Sequence, residues 1–188
     1  MRKFLLILLA VLLLCLGTAA AEDGGDILGK EFPNFTVKDT DGNFFSLSKA
    51  LKDHEAVLIN IWATWCGPCM RDFPSLTEAY EQYKDRVAFI ALSCEEKDTL
   101  ELIGEYRKQN GITFPMGRDK NLTLSNYIPA RWIPCTVIVD RFGNAAFLYY
   151  GIFSDASQIS RVLDSFLGDG YTETRVLNEI PDEKTQPE

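Results

Sequence analysis

Histidine is almost absent from this 188-residue chain, where His54 stands alone. One imidazole excludes His-rich metal centres and makes a Ser-His-Asp triad a poor basis for function. Positive charge is also short: 19 Lys and Arg face 27 Asp and Glu, a formal net charge of -8. Such a chain repels phosphate, so no nucleic-acid partner is expected. Glycine and proline are modest at 13 and 8, beside 46% hydrophobic and 24% charged residues. This excludes collagen-like, disordered and polytopic membrane classes. The length suits one compact domain with tails. Cysteines number only five, too few for a disulfide-stapled miniprotein, so their positions carry the information.

The start reads as an address. Arg2 and Lys3 precede an apolar run from Phe4 to Leu16, then the small residues Gly17 to Ala21 and the acids Glu22 and Asp23. Residues 1–21 are therefore expected to be a secretory signal peptide cleaved near Ala21, or an uncleaved membrane anchor. A lipoprotein signal at Cys15 fits less well, because the large Leu14 precedes it. In each case the rest is exported, to the periplasm or the outer face of the cytoplasmic membrane. Cys66, Cys69, Cys94 and Cys135 then lie where disulfides persist.

Residues 22–30 read as a loose leader. Phe35–Val37 and Phe44–Ser46 flank an acidic Gly-containing turn and predict a hairpin; the glycine spacing does not fit an EF-hand. A short helix is expected over Ser46–Leu51. Val57–Trp62 and Val87–Leu92 are nearly all apolar, as in central parallel strands. Helical spacing marks Pro68–Tyr83, with Pro74 expected to kink it, and a helix through Leu100, Ile103 and Tyr106. Phe114–Met116 is expected to be extended and Leu122–Tyr127 a helical turn. Thr136–Asp140 and Ala145–Tyr150 form a second hairpin, and Ser154 is expected to cap a last helix through Ile159, Val162, Leu163 and Phe166. Residues 170–188 read as a polar, mobile tail. The sum is an α/β domain over 27–168 with a mixed central sheet flanked by helices.

Trp65-Cys66-Gly67-Pro68-Cys69 falls where the central strand meets its helix. Structural zinc would need two more ligands, and Cys94 and Cys135 are isolated in sequence. A static disulfide is the plainer alternative, but so small a ring adds little stability. Redox use explains the placement. At a helix N-terminus the unpaired N–H groups favour the Cys66 thiolate, the attacking species. Cys69, one turn inside, is suited to displace a captured partner. Gly67 permits close approach and Pro68 is tolerated in the first turn.

These residues resemble the thioredoxin superfamily. Trp65 to Cys69 matches its signature, Pro74 its helix proline, and Arg131-Trp132-Ile133-Pro134 its loop before a cis-proline. The leading hairpin, the export signal and the long stretch between Cys69 and Pro134 resemble the TlpA/ResA-like exported thiol-disulfide oxidoreductases. The resemblance implies a thioredoxin fold with an N-terminal hairpin and a central αβ insertion. It implies that Pro134 packs on the cysteine pair and that the Ile133 backbone pairs with an extended substrate segment. Reduction of protein disulfides is the implied activity, with a membrane thiol-electron donor, and apocytochrome c as a substrate in cytochrome c maturation. No cofactor beyond the Cys66–Cys69 pair and no metal are expected, and the chain is expected to be a monomer. An oxidase or isomerase, a thiol sensor and a copper-binding module remain alternatives. A peroxidase fits less well, because Ala63 stands where peroxiredoxins have Thr.

Several positions stay open. Asn60 stands where thioredoxins have a buried Asp; the ResA resemblance implies an acid three residues after the second cysteine instead, and Asp72 stands there, where close relatives usually have Glu. It either handles the Cys69 proton or is a solvated acid near a helix N-terminus. Cys135 is either a third thiol near the redox pair or a small buried hydrophobe, and Cys94 could reach the same rim or pair with it. Trp65 is expected to shield the disulfide and Trp62 to lie in the core, while Trp132 either shapes the docking groove or packs its loop. His54 is expected in a solvated loop.

Overall fold

The computed structural model describes residues 27–128, 132–173, 175–177 and 179–181. The expected leader or anchor over 1–21, Arg131 and the end of the tail from 182 lie outside the described residues. β1 (Thr36–Lys38) and β2 (Phe44–Ser46) form the antiparallel hairpin. Asp39 closes its turn by accepting the amides of Asp41 and Asn43, and Gly42 takes a φ of 88°. Then follow α1 (Leu47–Asp53), β3 (Ala56–Trp62), α2 (Gly67–Tyr83), β4 (Val87–Ser93), α3 (Leu100–Gln109) and β5 (Met116–Arg118). A 3-10 turn at Lys120–Leu122, α4 (Thr123–Tyr127), β6 (Cys135–Asp140), β7 (Ala145–Tyr150) and α5 (Ala156–Asp164) complete the order.

The five-stranded sheet runs β5-β4-β3-β6-β7. β3 pairs parallel with β4, and β4 with β5, while β6 pairs antiparallel with both β3 and β7. The apolar runs become central because both faces are covered. Ala56, Leu58 and Trp62 share a core with Phe73, Leu76 and Ala79 of α2 and Ile159, Val162 and Leu163 of α5. Val57, Ile59 and Ile61 face the other way, with Leu47 of α1 and Leu124 of α4. Each fully buried large apolar side chain contributes roughly 1.5–3 kcal/mol. The insertion expected between Cys69 and Pro134 is α3 with β5, which extends the sheet at one edge. The hairpin packs against that edge so closely that a Cβ on Gly117 would lie 3.0 Å from the Lys38 carbonyl.

α2 runs unbroken through Pro74, whose ring removes the N–H that would serve the Met70 carbonyl. The cap of α5 is Asp155, not Ser154: the Asp155 carboxylate accepts the Gln158 amide at 3.2 Å. Asp and Ser cap equally well, and one residue of register separates them. The leader is not loose where it is described. Ile27 is buried, and the amides of Gly29 and Phe32 donate to Ala145 and Gly143.

The tail also differs from expectation, because its first half is docked. The Leu177 amide donates to Ala146 at 2.7 Å, and Leu177 and Ile180 pack on the core. Tyr171 is buried and its hydroxyl donates to Asp140 Oδ2 at 2.6 Å. Polar composition hid three anchors, Tyr171, Leu177 and Ile180, spaced too irregularly for a periodic signal. Tyr171→Phe leaves a buried acceptor unpaired and is expected to cost about 1–2 kcal/mol in urea unfolding. An unchanged midpoint would show that this hydrogen bond contributes nothing. Among the described residues, no helix is long and apolar enough to cross a membrane.

Candidate active site

At the end of β3 the chain turns at Ala63–Trp65, and the Cys66 amide donates back to the Ala63 carbonyl at 3.0 Å. This delivers Cys66 to the N-cap of α2 in an extended conformation. Its sulfur accepts the Cys69 amide at 3.2 Å, which satisfies one of the helix's unpaired donors. Pro68 occupies the first turn, where no N–H is lost. Cys66 and Cys69 are joined, with an S–S distance of 2.08 Å.

Cys69 is fully covered, and Cys66 is hardly less so at 2% exposure. In the disulfide state the two sulfurs therefore differ little in shielding. What is open is the rim: Gly67 and Pro68 are exposed, Trp65 is 66% exposed and Trp132 is 73% exposed. Trp65 is held by its indole N–H, which donates to Glu95 Oε2 at 2.9 Å. Trp132 precedes Ile133, and the Ile133–Pro134 bond is cis. This turn places the Ile133 carbonyl 3.8 Å from Cys66 Sγ. Trp62 lies in the core, edge-on to Phe73.

Asp72 is buried on the inner face of α2, so it is not a solvated acid. Its Oδ1 accepts the Phe153 amide at 2.8 Å, and its Oδ2 lies 3.5 Å from Asn60 Nδ2. Asn60 also donates to Thr136 Oγ1 at 3.1 Å, across the β3–β6 register. Asn60 Oδ1 is buried without a partner. Burial pushes the Asp72 carboxyl up to about 7; its two hydrogen bonds oppose the shift but do not overcome it. The acid is thus poised to exchange a proton near neutrality, one turn from Cys69 on the same helix.

Cys94 and Cys135 are free thiols, so the disulfide considered between them is not formed. Cys135 is fully buried in the second core, and burial pushes its thiol up to about 12, with the Cys94 charge adding to the shift. Cys94 is half-buried; its thiol is raised by burial first, and then by Asp119, Glu95 and Asp98. Neither thiol is primed as a nucleophile. Among the described residues, no group of three or more His, Cys, Asp or Glu is placed to hold a metal ion.

Sequence reasoning did not single out Thr136, Phe153, Ser93 or Asp98. Thr136 and Phe153 act through the β3–β6 register and a backbone amide, for which a sequence carries no local signal. Asp98 ends a run of four charged residues, in which nothing in the sequence marks the one that turns inward.

Comparisons with known proteins agree with this geometry. Residues 28–147 match the model of the AhpC/TSA family. The thiol-disulfide oxidoreductase ResA of Bacillus thuringiensis (strain Al Hakam) is 35% identical over 117 residues, covering 62% of this chain and 65% of that protein. The chain thus matches just under two thirds of that relative's length. The crystal structure of a thiol:disulfide interchange protein of the thioredoxin family from Chlorobium tepidum TLS is similar at a TM-score of 0.61 and 26% identity, over 73% of this chain and 96% of that one. StoA from Bacillus subtilis shares the fold at a TM-score of 0.59 and 20% identity, over 68% of this chain and 93% of that one. The mixed five-stranded sheet with flanking helices is the thioredoxin fold. With more than half of its length matched, the chain belongs to the AhpC/TSA family of thioredoxin-like proteins.

Proposed function

We propose that this protein is an exported thiol-disulfide oxidoreductase that reduces disulfides in other proteins. The observation that carries the reading is a Cys66–Cys69 disulfide at the N-terminus of a helix, with Cys66 as the cap. In the reduced protein the Cys66 thiolate attacks one sulfur of a substrate disulfide. A mixed disulfide forms and the other substrate sulfur leaves as a thiolate. Cys69 then loses its proton and attacks Cys66 Sγ, which releases the second substrate thiolate. Two electrons pass to the substrate and the protein is left oxidised.

Asp72, buried and poised near neutrality, is the acceptor proposed for the Cys69 proton. The exposed Trp65 and Trp132 adjoin Cys66 and Ile133 in the chain, and the Ile133 backbone offers an edge to an extended substrate segment. A membrane thiol-electron carrier would recharge the disulfide outside the cytoplasm. Apocytochrome c, with a Cys pair to be kept reduced for haem attachment, is the substrate class implied by the ResA resemblance. Export rests on the order of residues 1–21.

Turnover of a protein disulfide such as insulin with a small-thiol donor tests the reading. The wild type is expected to accelerate reduction and Cys66→Ser to be inactive. No acceleration by the wild type would remove this function.

A further inference from the structure

The turn that delivers Cys66 is gripped from outside by one short loop. Asp98 precedes the cap of α3 and is only 1% exposed. The Thr64 amide donates to its Oδ2 at 3.0 Å and the Thr64 hydroxyl to its Oδ1 at 2.6 Å. The Ser93 hydroxyl donates to the same carboxylate and also accepts the Glu95 amide at 3.2 Å. Glu95 in turn holds the Trp65 indole and accepts the Lys97 amide. The Cys94 amide ties the loop to the Trp62 carbonyl at 2.9 Å. Residues 62, 64 and 65, the approach to the redox pair, are thus each bonded to the 93–98 segment.

A carboxylate so placed near a helix start is usually a cap for that helix. Here the helix is capped by Thr99 instead, and the side-chain bonds of Asp98 run to Thr64 and Ser93. Burying a carboxylate is costly unless its oxygens are filled. Two of the three donors that fill this one belong to the residue two before Cys66.

We propose that Asp98 is a positioning residue, which clamps the Thr64–Trp65 turn so that Cys66 and the Trp65 ring are held in register for disulfide exchange. The proposal rests on the redox function above and adds a residue to it. Asp98 does not touch the reacting sulfurs. It acts through Thr64 and, by way of Ser93 and Glu95, through Trp65.

Asp98→Ala and Asp98→Asn separate placement from charge. An asparagine can turn its amide oxygen to the Thr64 N–H and Ser93, and its NH2 to the Thr64 hydroxyl. Alanine offers nothing to any of them. Two readouts are compared in the full-length protein. One is the anisotropy of Trp65 emission in a Trp132→Phe background, where the remaining Trp62 is buried. The other is kcat/KM for insulin reduction in the otherwise wild-type chain. Asp98→Ala is expected to lower the anisotropy and to cut kcat/KM about tenfold, with Asp98→Asn restoring both. Thr64→Val, which removes one clamp bond and keeps the carboxylate, is expected to show the same loss in smaller measure and serves if Asp98→Ala fails to fold. Unchanged readouts in Asp98→Ala, or in Thr64→Val where it stands in, overturn the clamp. Equal losses in the Ala and Asn variants assign the effect to charge and overturn it too. If the wild type reduces no disulfide, the redox function fails, and the anisotropy series alone then decides whether the turn is clamped.

Discussion

Replacing Cys69 with serine is expected to freeze the protein on its substrate. Cys66 still attacks, but the sulfur that would displace the partner is gone. The mixed disulfide should persist on a non-reducing gel and map to Cys66 by mass. Turnover should fall to the uncatalysed background. The other thiols do not rescue it: Cys135 is buried with its thiol pushed up to about 12, and Cys94 is raised by burial and by the acids around it. A thiol that holds its proton so firmly supplies almost no thiolate at neutral pH. Adding Cys94→Ser or Cys135→Ser should therefore leave the trapped species unchanged, and Cys66→Ser with Cys69→Ser should abolish it. A Cys69→Ser protein that turns over normally would mean that another sulfur resolves the intermediate, and the roles assigned to the pair would be wrong.

Asp72→Asn is expected to make the oxidised protein more stable at alkaline pH and to leave it nearly unchanged in acid. Burial raises the folded carboxyl from 3.8 to about 7, so the folded state binds the proton more tightly than the unfolded chain. The raised acid costs nothing below the unfolded value. Stability is then lost as pH rises between about 4 and 7, and the full cost of burying the charge stands above that window. The shift corresponds to something on the order of 4 kcal/mol, or about 8–16 °C in Tm for a domain of this size. Asparagine removes the charge and keeps an oxygen for the Phe153 amide. Asn60 can meet the new NH2 by turning its amide, since its own Oδ1 is buried and unpartnered. Thermal melts at pH 5 and pH 8 check this. A difference between variant and wild type that is the same at both pH values would mean that Asp72 is charged throughout.

The elements that place the site were legible wherever local pattern decides structure. Val57–Trp62 reads as a covered strand because every position but Asn60 is apolar, and it became the centre of the sheet. The Trp65–Cys69 signature specifies its own strand-to-helix context, and the helix begins within it. The contacts that set the chemistry are non-local. Asn60 meets Thr136 only because β3 and β6 pair in one register, and a one-residue slip would have sent that side chain to the other face. Asp72 looked as much like a surface acid as a buried one, because helix phase alone does not tell which face an adjoining loop covers. Here the segment at Phe153 closes over it. Asp98 carries no local signal for the same reason: it follows three charged residues, yet its side chain turns inward to Thr64. The docked tail was missed because burial there depends on a few separated side chains and not on a period.

The most direct measurement is the pH dependence of Cys66 alkylation in the reduced protein, with the labelled peptide identified by mass. A sulfur capping the N-terminus of α2 should show a midpoint well below the value of about 8.5 for a free cysteine. A midpoint at the free-cysteine value, in a dithiol that exchanges with no protein disulfide, would contradict a nucleophile activated by its helix.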